Sequence, residues 1–209
     1  MIEISNILEV KNHIDGLKAI VFDMDDTLYG EKEYVRSGYQ KIAEVIPGVE
    51  NAADKLWNLF EEKKPAIDVL LKQEQIHLED VKQACLYAYR YQIPDIHLYD
   101  GVKEMLEEFR KKGLKLGIIT DGRSEGQRAK LQVLELEAMV DYIIVTDELG
   151  GPEFRKPNPI AFEKMKAMLD VEYEQMCYIG DNIRKDFIAP EQLGMKAIWF
   201  RNKDGLYAE

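Results

Sequence analysis

Apolar residues fall along this chain in two rhythms, short solid runs and wider helical stripes, and their alternation predicts most of its elements. Solid runs rich in β-branched and aromatic residues stand at 18–22 (with Ile20, Val21 and Phe22), 114–120, 142–146, 176–180 and 196–200, and each reads as a strand buried on both faces. Between the later runs come stripes at helical spacing, over 100–113 (Val102, Met105, Leu106, Phe109), 124–136, 158–169 and 183–193. Strands alternating with helices predict an α/β core around a central parallel sheet covered on both faces. Residues 33 to 97 break that rhythm. They carry no convincing strand and predict amphipathic helices at 33–46, 51–63, 66–74 and 78–91, with breaks at Pro47-Gly48, at Pro65 and around His77. The pattern therefore divides the chain into a core of residues 1–30 and 98–209 and a helical insertion of 31–97. Residues 1–17, with Ile4, Ile7, Leu8 and Ile14 near helical spacing, predict an N-terminal helix or arm on the core.

Composition narrows the partners. The 209 residues suffice for a substantial core, and 28 basic against 39 acidic residues give a formal charge of −11, which argues against a nucleic-acid backbone or an anionic membrane as partner. An anionic substrate would need positive charge supplied locally. Cys85 and Cys177 show no metal-ligand spacing and imply no disulfide framework, which suits a reducing cytoplasm. The opening Met-Ile-Glu-Ile-Ser-Asn-Ile-Leu-Glu-Val does not read as a signal peptide, and no run reaches the roughly 20 apolar residues of a membrane span. A soluble cytoplasmic protein, monomer or homodimer, is the expectation.

Candidate chemistry collects at the predicted strand ends, where parallel sheets bind ligands. The first strand runs into Asp23, Asp25 and Asp26, carboxylates that repel one another and gain nothing by crowding unless a cation or a proton-transfer task uses them. The second ends in Thr120-Asp121-Gly122, the loop after Val145 carries Arg155-Lys156-Pro157, and the fourth ends in Gly180-Asp181, with Asp186 shortly after. Asp23, Asp25 and Asp181 offer the hard oxygen ligands that Mg²⁺ prefers, Lys156 a mobile cation, and Thr120 a hydroxyl with following backbone N–H groups for phosphate oxygens.

These residues, Asp23-Met-Asp25-Asp-Thr27, Thr120, Lys156-Pro157 and Gly180-Asp181 with Asp186, resemble in order the four motifs of the haloacid dehalogenase superfamily of phosphohydrolases, a likeness that covers residues 18–201. The resemblance implies a Rossmann-like three-layer core with a helical cap inserted between the first and second motifs, at residues 31–97. It also implies that Asp23 is the nucleophile, forming an aspartyl-phosphate, and that Asp25 protonates the leaving alkoxide and then deprotonates water. Mg²⁺ would be held by the Asp23 carboxylate, the Asp25 backbone carbonyl and Asp181, with Asp186 in or next to the coordination sphere. Thr120 and Lys156 would stabilise the transferring group, with Asp121, Gly122 and Arg123 beside it. In the family's dehalogenases the position two after the nucleophile is not an acid, so Asp25 favours phosphoryl transfer. Asp121 departs from the Asn of many relatives and adds negative charge near the phosphate.

The implied activity is a Mg²⁺-dependent phosphatase acting on a small phosphomonoester, a sugar phosphate or nucleotide. A phosphomutase, or a catalytically idle binding protein on the same scaffold, is the alternative. Simpler roles stand beside each assignment: a turn cap for Asp23, a solvent-facing or capping role for Asp26, a solvated loop position for Lys156, and a first-turn helix acid for Asp186. Tyr87, Tyr89, Tyr91, Trp57 and Phe60 read as helical core or as the lining of a ligand pocket. His13, His77 and His97 show no metal spacing.

Overall fold

The computed structural model describes residues 1–206 and 208. They form two compact units, one of residues 1–31 and 97–209, the other of Lys32–Ile96.

The larger unit is built on a six-stranded, all-parallel sheet in the order β1-β6-β5-β2-β3-β4. Its strands are β1 (Ile2–Ile4), β2 (Ala19–Phe22), β3 (Lys115–Thr120), β4 (Tyr142–Val145), β5 (Met176–Gly180) and β6 (Lys196–Phe200). All four residues of β2 are inaccessible to solvent, as the solid apolar run requires of a strand covered on both faces. Ala19 and Val21 pack into a cluster with Phe162, Met165 and Leu169. The helices of this unit are α5 (Val102–Lys111), α6 (Ser124–Val133), α7 (Leu136–Met139), α8 (Ile160–Leu169) and α9 (Ile188–Leu193). Strand order reverses at β2, which has β3 on one side and β5 on the other, so the crevice at the ends of these strands is where a ligand site belongs. Register brings the ends level: Phe22 lies opposite both Ile118 and Ile179, and the Asp23 N–H continues the ladder to the Ile179 carbonyl at 2.7 Å.

The smaller unit consists of helices from α1 (Glu31–Val45) through α2 (Ala52–Glu61) and α3 (Ala66–Gln73) to α4 (Glu79–Arg90). Ile42, Leu56, Leu59, Leu70 and Cys85 form its interior. Trp57, Phe60 and Tyr89 pack against that interior, whereas Tyr87 and Tyr91 are exposed and stack on each other with ring centres 4.5 Å apart. Among the described residues, no helix is long and apolar enough to cross a membrane.

Three elements differ from the sequence pattern. Residues 2–4 form an edge strand paired with β6, and only 7–13 turn, as a 3-10 helix capped by Asn6 and Glu9; of the helix or arm expected over 1–17, a continuous helix does not form because Ile4 is used by the sheet. The stripe of 124–136 breaks at Glu135, which adopts φ 55° and starts the separate α7. The helix expected from 183 begins only at Ile188, because Asn182 to Asp186 form a turn closed by the Asp186 carboxylate on the Asn182 N–H.

Candidate active site

The sheet delivers Asp23, Asp181 and Asp186 to one place. Each offers a carboxylate oxygen within 4.8 Å of the others, and all three residues are buried. Gly180 makes this possible, since a Cβ there would meet Asp186 Oδ2 at 2.5 Å. The buried Lys156 ammonium donates to Asp23 Oδ1 at 2.7 Å and to the Tyr178 hydroxyl at 2.9 Å. It also lies 2.9 Å from Asp186 Oδ1, but off hydrogen-bonding geometry, so that contact is ionic and Oδ1 accepts no hydrogen bond. One ammonium beside three carboxylates leaves excess negative charge.

The electrostatics record that excess. Burial, opposed by Lys156 and reinforced by Asp186, pushes Asp23 up to about 7. Burial, with Asp23 and Asp186 adding to it, pushes Asp181 up to about 9. Asp23 and Asp181, so disfavoured as anions, and the orphaned Asp186 Oδ1 beside them fit a hard divalent cation such as Mg²⁺, which would stabilise Asp23 and Asp181 in ionised form.

Asp25 belongs to a different constellation. Its carboxylate accepts from Lys130 Nζ at 2.6 Å, from the Tyr29 hydroxyl, and from Gln127 Nε2 at 2.8 Å. Burial acts to raise Asp25, yet Lys130, Tyr29 and Gln127 outweigh it and hold the group below its ordinary range. Its side chain is not part of the metal-type cluster of Asp23, Asp181 and Asp186. Gln127 also reaches Thr120 Oγ1 at 2.5 Å, linking the ends of β2 and β3; Thr120, fully buried, accepts there and keeps its own proton to donate.

Asp121 is neutralised. It accepts from Lys185 Nζ at 2.9 Å, from Thr146 Oγ1 at 3.0 Å and from the Lys156 N–H at 3.1 Å, and although burial acts to raise it, Lys156 and Lys185 hold it low. The charge that distinguishes this position from Asn is thus balanced by Lys185. Gly122 serves the backbone, at φ 139°, where a Cβ would press on Gln127 at 3.2 Å. Arg123 is exposed ahead of α6. Thr120, Gly122 and Arg123 do not line the cavity at the strand ends, which has a volume of about 300 Å³ and a wall of Asp, Glu, Arg and Lys residues alone.

The simpler roles sort out by burial. The Lys156 side chain is fully buried, which removes the solvated-loop reading, and Asp186 precedes α9 rather than lying in its first turn. Asp26 is 1 % exposed and caps the next segment, accepting the Glu31 N–H at 2.8 Å. Sequence reasoning missed Lys130, Gln127, Tyr29, Lys185 and Glu31. For Gln127 and Lys130 a signal existed, because they share a helical face with the buried Leu131 and Leu134, positions that normally hold apolar residues.

A family model described as haloacid dehalogenase-like hydrolase matches residues 20–200, from β2 through β6. The chain belongs to that family. Among curated relatives, this haloacid dehalogenase-like hydrolase is 30% identical over 197 residues to the glyceraldehyde 3-phosphate phosphatase of Methanocaldococcus jannaschii, spanning 86% of this chain and 82% of that protein. It is 24% identical over 195 residues to the pyrophosphatase PpaX of Bacillus mycoides, spanning 87% and 82%. Among solved structures it resembles a haloacid dehalogenase-superfamily hydrolase, subfamily IA, from Geobacter sulfurreducens (TM-score 0.65, 19% identity, 88% of this chain and 87% of that one). The shared element is the fold.

Proposed function

We propose that this hydrolase is a Mg²⁺-dependent phosphatase that removes phosphate from a small phosphomonoester through an aspartyl-phosphate on Asp23. The observation that carries the reading is the joining of Asp23, Asp181, Asp186 and Lys156 at the switch point of the sheet, with a hydrogen-bonded acid, Asp25, two residues after the nucleophile. Relatives named as phosphatases over most of the chain support it.

Asp23, Asp181 and Asp186, with the Asp25 backbone carbonyl, are the groups that would hold Mg²⁺; when bound, the ion supplies positive charge that offsets the phosphate dianion and the charge developing in transfer. Lys156 fixes the Asp23 carboxylate by its ammonium, so that Asp23 Oδ2 is left to attack phosphorus. Thr120, held by Gln127 at the end of β3, takes the role that its motif implies, a hydroxyl donor to the transferring group. Asp25 starts as an anion under Lys130; the approaching phosphate dianion raises its proton affinity, so it takes up a proton from solvent water, gives that proton to the leaving oxygen and afterwards takes one from the attacking water. The helical unit takes the cap role that its insertion between the first and second motifs implies. A cavity wall without aromatic rings favours a sugar phosphate over a nucleotide, whose base needs a stacking partner.

Phosphate release from a sugar-phosphate panel with Mg²⁺ tests this. Activity should vanish with EDTA and in Asp23→Asn, because an amide is neither nucleophile nor good ligand, while circular dichroism stays that of the wild type. Turnover by Asp23→Asn would end the mechanism, and an isomeric phosphate ester in place of free phosphate would identify a mutase.

A further inference from the structure

The wall of the strand-end cavity contains one carboxylate that the phosphatase chemistry does not use, that of Glu31. The other acids there have partners: Asp23 meets Lys156, Asp25 meets Lys130, Asp121 meets Lys185, Asp181 belongs to the metal-type cluster, and Asp26 accepts backbone N–H groups. Among the described residues, the Glu31 carboxylate accepts no hydrogen bond and lies within ion-pair distance of no cation, while the Glu31 backbone N–H donates to Asp26.

That single bond is built with care. Asp26 sits at φ 51°, almost fully buried, with Oδ1 on the Glu31 N–H at 2.8 Å and Oδ2 on the Leu206 N–H at 2.7 Å, while its carbonyl accepts from Asn202 Nδ2 at 2.8 Å. The backbone that presents Glu31 is thus fixed from both carboxylate oxygens of its neighbour, and the side chain is left open to the cavity. Burial, with Asp25 adding to it, pushes the Glu31 carboxyl up to about 8, so a donor or cation on the entering molecule is the complement that stabilises its ionised, accepting form. The cavity wall carries the cations Arg155, Lys156 and Lys185 beside its carboxylates and no apolar side chain.

We propose that Glu31 is a specificity-determining residue that receives a hydrogen-bond donor, a hydroxyl or an ammonium group, carried by the leaving alcohol of the phosphomonoester. The inference rests on the phosphatase reading and deepens it: the substrate is a small ester whose alcohol bears such a donor close to the phosphate, and esters of plain aromatic or aliphatic alcohols leave Glu31 unpaired. Glu31 is part-buried, and an acceptor shielded from water and left without its donor discriminates more strongly than a lost apolar contact does.

The test compares wild type, Glu31→Gln and Glu31→Ala on phenyl phosphate, glycerol 3-phosphate and phosphoethanolamine, with Mg²⁺ present, reading kcat/KM for phosphate release. Glutamine keeps a carbonyl acceptor but no charge. An ammonium donor therefore predicts a loss of about ten-fold or more on phosphoethanolamine in both variants. A hydroxyl donor predicts that glycerol 3-phosphate tolerates Glu31→Gln within about three-fold but loses about ten-fold in Glu31→Ala. Either way phenyl phosphate changes by less than two-fold. Equal losses on all three esters, or none on any, overturn the subsite while the phosphatase reading stands. Failure of the wild type to release phosphate from any of the three removes the phosphatase reading and the subsite with it.

Discussion

The two units handle charge in opposite ways. Of the buried polar or charged residues, the helical unit holds only Ser37 and Gln92, and its interior is otherwise apolar. Its ion pairs, such as the part-buried Lys55–Glu74 and the exposed Lys82–Asp68, are open to solvent screening and contribute at most about 1 kcal/mol each. The sheet unit buries Asp23, Asp26, Lys130, Lys156, Asp181 and Asp186 around one crevice. Ionised groups lose hydration there, and their attraction only partly offsets the cost, so such a cluster is a poor way to gain stability. The difference teaches that one unit is organised for folding and the other gives up some stability to hold reactive groups in place.

The contrast breaks most visibly at Lys130. If this ammonium orients Asp25, Lys130→Met should lower kcat by about 100-fold or more with KM little changed and alter the pH profile of kcat; wild-type kinetics would reduce Lys130 to a space-filler. In the helical unit the corresponding lever is packing. Leu56→Ala, at a fully buried position, should lower stability to urea by about 2–5 kcal/mol, whereas substitutions at Lys55 should move it by less than 1 kcal/mol.

The smallest effect concerns pH. Asp181 and Asp23 are raised above the ordinary carboxylate range, so the folded metal-free protein binds protons more tightly than the unfolded chain does. Their contribution is fully present below about pH 4 and is lost as pH climbs through about 7 and then about 9. Melting temperature in EDTA should fall over that window relative to the Mg²⁺ form, and the increment from Mg²⁺ should grow from near zero at about pH 5 to several degrees at about pH 8.5. An increment independent of pH would mean that the carboxylates do not bind the ion.

Much of this was legible in sequence because the sheet is regular. Solid apolar runs located β2 to β6, and motif residues at their ends were carried together by parallel register, which puts Asp23 and Asp181 on adjacent strand tips. What escaped depended on tertiary partners. Ile2–Ile4 became a strand only because β6 presents a free edge, a fact without a local signature. Glu31 and Lys185 are ordinary charged residues until the fold turns them into one crevice. The Asp121 position reads as added repulsion until Lys185, distant along the chain, is seen to cancel it.

The clasp on Asp26 has a practical side. Asn202 and Leu206 hold Asp26 in the loop that follows Asp23. A deletion from Asn202 onward would remove no motif residue, yet it would untie the segment between Asp23 and Glu31. Asn202 and Leu206 are thus a strut of the loop between Asp23 and Glu31, and tags or fusions placed beside them belong in any account of altered kinetics.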